Sequence, residues 1–178
     1  MADTGAKSSS PHLIFVGLPG VGKTTIGKAA ARRLGREFLD FDQEIERRAG
    51  MNVREIFRLK GEEHFRELEF ELTKELSGGG GMVLSPGGGW ITQAKSVELL
   101  RSAGRIIYLR ASPEAVASRL RRVETRPLLA GRDPVVALRE LYEKRRALYE
   151  TADTVLDTEK LARQQLIAKV VELASTLK

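Results

Sequence analysis

Gly17-Leu18-Pro19-Gly20-Val21-Gly22-Lys23-Thr24 spells the pattern G-x-x-x-x-G-K-[ST] in full. In such a loop the glycines let successive backbone N–H groups close around a polyphosphate. Its flanks supply the context the pattern needs. His12-Leu13-Ile14-Phe15-Val16 is a short apolar run suited to a buried parallel strand. Thr25–Leu34 is rich in helix-forming Ala, Lys and Arg, with apolar residues at Ile26, Ala29, Ala30 and Leu34. Strand, glycine loop and helix predict a site for a nucleoside triphosphate at a helix N-terminus. Lys23 is placed to reach the β/γ-phosphates, and the Thr24 hydroxyl to bind magnesium.

Composition narrows the class. A chain of 178 residues that is 42% hydrophobic can bury the core of one globular domain, expected over 12–178. No apolar stretch approaches the roughly 20 residues of a membrane span. Met1–Pro11 is small and polar without an apolar segment, so it reads as a disordered leader rather than a secretory signal. The absence of cysteine excludes disulfides and thiolate metal sites, and a cytoplasmic address is the simplest expectation. The net charge of +6 does not form the aromatic-interleaved basic stripe of a nucleic-acid binder. Basic residues lie along helices beside acids, and only Arg119-Leu120-Arg121-Arg122 is a cluster. Surplus arginine suits an enzyme that handles ATP and a small anionic substrate.

Four apolar segments read as parallel strands: His12–Val16, Met82–Ser85, Arg105–Leu109 and Thr154–Asp157, with a shorter fifth at Glu37–Asp40. Helices are expected at 25–34, 42–49, 53–59, 62–76, 93–102, 113–122, 134–150 and 159–177. Ser112-Pro113 and Asp133-Pro134 place a capping side chain before a proline at the first helical position, and Thr158 precedes Glu159 in the same way. The alternation predicts a three-layer α/β/α sandwich around a parallel sheet, with ligands at the carboxyl ends of the strands. Gly78–Gly81 reads as a flexible connector. Gly87-Gly88-Gly89 follows a strand directly, where bare backbone can approach a substrate.

Around this edge stand further candidates. Leu39-Asp40-Phe41-Asp42 closes the short strand with two carboxylates that face the same way if the extended conformation persists, although Asp42 is also a suitable helix cap. Arg66, taken alone, is an ordinary surface arginine. The stretch 124–131 lacks helical periodicity, lies between two helices and resembles a lid whose arginine can reach a transferring phosphoryl group. Tyr142–Tyr149 is a basic, aromatic-flanked helical stretch in which an arginine can fork onto a carboxylate.

These features in this order resemble the shikimate kinase family from Leu13 to about Val155. The matching residues are the loop with Thr24-Thr25-Ile26-Gly27, Leu39-Asp40-Phe41-Asp42 with Ile45-Glu46, Ile56-Phe57 and Gly61-Glu62. Phe65-Arg66 with Glu69, Gly87-Gly88-Gly89, Arg126-Pro127-Leu128-Leu129 and Lys144-Arg145 with Leu148-Tyr149 complete the set. The resemblance implies a P-loop fold with five parallel strands, an acceptor-binding region near 42–71 and a lid near 121–133. It implies transfer of the γ-phosphoryl of ATP to the 3-hydroxyl of shikimate, with Mg2+. A monomer is the expected state.

The same resemblance implies roles. The backbone of Gly20, Val21, Gly22, Lys23, Thr24 and Thr25 cradles the ATP phosphates. Thr24 ligates the metal and Asp40 holds it through water. Asp42 orients or deprotonates the attacking hydroxyl. Arg66 and Arg145 grip the acceptor carboxylate, with N–H groups of Gly88 and Gly89. Arg126 closes onto the phosphates, and Arg119 lies against adenine. Two positions depart from the pattern: Asp157–Ala162 lacks the proline and basic run that often cover adenine, and Trp90 is bulkier than the small residue expected there. A gluconate kinase-like enzyme is the nearest alternative, and a nucleotide-dependent switch or RNA-binding module the alternative from another class.

Overall fold

The computed structural model describes residues 10–120 and 133–177. Five strands, β1 (His12–Val16), β2 (Phe38–Asp40), β3 (Val83–Ser85), β4 (Gly104–Arg110) and β5 (Thr154–Asp157), form one parallel sheet in the order β2-β3-β1-β4-β5. The central strand β1 is buried at every residue, as an apolar run covered on both faces must be. The helices are α1 (Lys23–Leu34), α2 (Phe41–Ala49), α3 (Val53–Ser77), α4 (Ala94–Ala103), α5 (Pro113–Leu120), α6 (Pro134–Tyr149) and α7 (Arg163–Thr176). α3 is two helices joined at Gly61, whose φ of 86° interrupts the helical backbone where the sequence places the break.

Register aligns the functional edge. Asp40 is paired with Ser85, so the chain leaving β2 and the chain leaving β3 emerge side by side. The phosphate loop leaves β1, the neighbour of β3, at the same end. This is the carboxyl edge at which ligands of open parallel sheets sit.

Three local expectations are corrected. The extended backbone does not persist through Asp42: helix α2 begins at Phe41, and Asp40, not Asp42, is its cap, accepting from Gln43 N at 3.2 Å. Helix α7 starts at Arg163 rather than Glu159, because Asp157 folds the intervening residues into a turn by accepting from Glu159 N and Lys160 N. Thr158 is therefore no cap, and its hydroxyl bonds Arg119 instead. Ser112 and Asp133 do cap α5 and α6, accepting from Ala115 N at 3.2 Å and Val135 N at 2.8 Å.

His12 fastens the start of β1. Its Nδ1 accepts from Met82 N at 3.2 Å, so the proton sits on Nε2, which donates to Leu76 O at 3.0 Å. Burial, with the Arg36 charge in support, lowers its pKa below the ordinary 6.5. Protonation would also break the bond from Met82. A histidine titrating lower in the folded state stabilises the fold above its ordinary pKa, and that contribution is lost as pH falls toward the folded value. Chemical denaturation should therefore show stability dropping below about pH 6.5. In His12→Val the orphaned Met82 N–H should cost about 1–3 kcal/mol at pH 8 and flatten this acid limb.

Candidate active site

The phosphate loop needs backbone conformations that side chains resist. Gly20 and Gly22 hold φ of 87° and 112°, and Gly22 leads directly into α1 without a side-chain cap. The first amides of α1 are thus left for an anion. Lys23 is buried, its Nζ donating to Gly17 O at 2.8 Å and Leu18 O at 3.0 Å. Thr24 Oγ1 donates to Asp40 Oδ2 at 2.8 Å, which joins the loop to the end of β2. These two hard oxygens suit Mg2+, which binds few protein ligands and completes its shell with phosphate and water. Thr25 is exposed on the second residue of the sequence pair.

The glycines after β3 form the second half of the site. A methyl group on Gly87 would lie 3.0 Å from Asp42 Oδ1 and 3.1 Å from Glu69 Oε1. On Gly88 it would meet Pro19 Cγ at 3.1 Å and Arg145 Nη1 at 3.3 Å, and on Gly89 it would overlap the Arg66 guanidinium. Asp42, Arg66 and Arg145, from α2, α3 and α6, therefore converge on three consecutive residues, with Pro19 of the phosphate loop among them. Helices far apart in sequence can meet here only because this turn carries no side chains.

The carbonyls of the turn are held from behind. Gly87 O accepts from Trp90 N at 3.0 Å, Gly88 O from Tyr149 Oη at 3.1 Å, and Gly89 O from Thr92 N at 3.1 Å and Thr92 Oγ1 at 2.7 Å. Each peptide here is trans, so its N–H points opposite to its carbonyl. The N–H groups of Gly88 and Gly89 consequently aim away from Trp90 and Tyr149.

Glu69, given no separate role by sequence, sits at the centre of the electrostatics. Its side chain is fully buried, with Oε2 receiving Arg66 Nη1 at 2.5 Å and Gln93 Nε2 at 2.8 Å, while Oε1 has no hydrogen-bond partner. Burial, aided by the charge of Asp42, pushes its pKa up to about 7 against the pull of Arg66 and Gln93. Arg66 also reaches Glu62 at 3.0 Å; burial opposes its charge, but the two carboxylates more than offset that and raise its pKa. Arg145 Nη1 is buried and lacks a hydrogen-bond partner. The sequence signals for Glu69 are its place beside Phe65-Arg66 in the family resemblance and its i,i+3 spacing from Arg66 on a helix.

Other expected residues lie nearby or beyond view. Arg119 donates to Thr158 O at 3.0 Å, Thr158 Oγ1 at 3.1 Å and Val21 O at 3.4 Å, tying the phosphate loop to the turn after β5. Trp90 is fully buried beneath the glycines, edge-on to Phe41 and donating to Thr73 Oγ1 at 3.0 Å. Arg126, the lid near 121–133 except Asp133, and the leader up to residue 9 lie outside the described residues.

A phosphate-gripping loop beside a turn that two guanidinium groups and a carboxylate approach suits phosphoryl transfer to a small anionic alcohol, and it places the chain among the P-loop small-molecule kinases. The shikimate kinase family model matches residues 19–175. Shikimate kinase from Cupriavidus pinatubonensis is 43% identical over 93% of this chain and 86% of its own. The solved shikimate kinase from Acinetobacter baumannii in complex with shikimate is 40% identical, with a TM-score of 0.87 over 96% of both chains. A gluconokinase from Sinorhizobium meliloti 1021, at 16% identity and a TM-score of 0.59 over 94% of this chain and 95% of its own, shares the fold alone. The chain belongs to the shikimate kinase family. As a member it is an ATP-dependent, Mg2+-using kinase that phosphorylates shikimate.

The packing at Gly89 makes one substitution decisive. Gly89→Ala should displace the Arg66 guanidinium and raise KM for shikimate tenfold or more, while KM for ATP changes less than twofold. Steady-state kinetics with each substrate varied in turn will check this.

Proposed function

We propose that the transfer to the 3-hydroxyl of shikimate is carried by the residues gathered around Gly87–Gly89. The carrying observation is that Asp42, Arg66 and Arg145 all approach this one turn, beside Pro19 of the phosphate loop. Arg66 and Arg145 hold the acceptor carboxylate, and the outward N–H groups of Gly88 and Gly89 add neutral donors. The buried, unsatisfied Nη1 of Arg145 supports this role, since such a donor calls for an acceptor. Two guanidinium groups fix the register of the ring as well as its affinity. The ring is then set with a hydroxyl toward Asp42, which orients it or takes its proton.

On the nucleotide side, the amides from Gly20 through Thr25 bind the phosphates. Lys23 leaves the loop carbonyls to bridge the β/γ-phosphates. Thr24 and Asp40, already joined by a hydrogen bond, would hold the metal. Bound there, Mg2+ neutralises charge developing on the phosphate oxygens. Catalysis is thus positioning plus charge compensation. Arg119 lies at the loop edge, where adenine is expected to stack. The wider reading is a monomeric, cytoplasmic enzyme with no nucleic-acid or membrane partner. The scattered basic residues argue against a nucleic-acid stripe. No helix of the described residues is long and apolar enough to cross a membrane.

A coupled ADP-release assay tests the reading. Turnover should depend on shikimate and stay low with gluconate. Charge-assisted hydrogen bonds are each worth about 1.5–3 kcal/mol, so Arg66→Ala and Arg145→Ala should each raise KM for shikimate at least about tenfold. Lys23→Ala and Asp42→Ala should nearly abolish turnover. Near-normal turnover in Asp42→Ala would overturn its role.

A further inference from the structure

We infer that Gln93 is a positioning residue for the acceptor site, acting through Glu69 on Arg66. The inference rests on the reading of Arg66 given above. Glu69 is an acceptor-only group when ionised, and its carboxylate lies wholly inside the protein. Among the described residues it receives side-chain hydrogen bonds from two donors, Arg66 and Gln93, both at Oε2. A buried carboxylate with so few donors is held in orientation by each of them. Arg66 is the group being aimed, so the fixed reference is Gln93.

Gln93 is itself well fixed. Its Oε1 accepts from the Oγ of buried Ser96 at 3.4 Å, which turns the amide N–H groups toward Glu69. Its backbone N donates to Trp90 O at 3.0 Å, closing the single 3-10 turn Trp90–Thr92. That turn starts at Gly89, the residue on which the Arg66 guanidinium packs. The same turn holds Glu69 a second time: Trp90 Nε1 donates to Thr73 Oγ1, which donates to Glu69 O at 2.7 Å. One short turn therefore carries the glycine that Arg66 touches and fastens the carboxylate that orients Arg66. Both sides of the arginine are referred to the same few residues.

In Gln93→Leu, Glu69 loses one of its two side-chain donors and Arg66 loses its orientation. KM for shikimate should rise three- to tenfold, while kcat and KM for ATP change less than twofold. Gln93→Lys keeps an N–H donor and should restore KM to within twofold of the parent. In a Glu69→Leu background, Gln93→Leu should have no further effect on KM, because the path runs through the Glu69 side chain. Thermal melting of each variant separates misfolding from misplacement. If Gln93→Leu melts early, the Gln93→Lys and Glu69→Leu comparison still decides. A raised KM in Gln93→Lys, or equal effects of Gln93→Leu with and without Glu69, overturns the inference. Arg66→Ala run alongside distinguishes the two failures: if it raises KM and Gln93→Leu does not, only the part assigned to Gln93 falls.

Discussion

Three residues without side chains let Asp42, Arg66 and Arg145 approach one turn. A single added methyl group at Gly87, Gly88 or Gly89 would press on a carboxylate, a proline or a guanidinium group. Helices α2, α3 and α6 can therefore bring Asp42, Arg66 and Arg145 to one place. The turn is not slack, for all its carbonyls are occupied by donors behind it. That arrangement fixes the peptide planes and aims the N–H groups of Gly88 and Gly89 away from Trp90 and Tyr149. Preorganised donors of this kind cost little reorganisation when a ligand arrives.

Charge in this corner is arranged with unusual economy. A carboxylate wholly buried at Glu69 would be costly alone, and the Arg66 pair compensates it. The compensation is incomplete, as the orphaned Oε1 and the upward-shifted pKa indicate. Arg145 carries a matching deficit at Nη1. Buried polar groups left short of partners mark places where binding can gain free energy. On the proposed reading, an anionic ring supplies an acceptor for Nη1 of Arg145. The Thr24–Asp40 bond does a similar task on the nucleotide side, linking the loop to the strand end that precedes Asp42.

Much of this was legible in the sequence. The phosphate loop and the apolar runs at His12–Val16 and Arg105–Leu109 announce a parallel sheet, because a strand buried on both faces needs continuous apolar residues. Asp40 and Asp42 were legible as a pair but not as a geometry. Capping by Asp40 turned the chain into a helix one residue earlier than an extended strand end implies. The start of α7 was misplaced for a related reason, since the side chain of Asp157 competes with helix formation. Arg66 was readable only through family resemblance, as nothing local distinguishes it from a surface arginine. Gln93 and the supports around Glu69 were invisible, because they depend on contacts between α3 and a turn more than twenty residues away.

The most direct measurement is a crystal structure of the protein with ADP, Mg2+ and shikimate bound. The account predicts the carboxylate of the acid between Arg66 and Arg145, within hydrogen-bond distance of both. It also predicts a ring hydroxyl on Asp42, facing the end of the nucleotide. A ring seated away from Gly87–Gly89, or turned with its carboxylate toward Asp42, would contradict it.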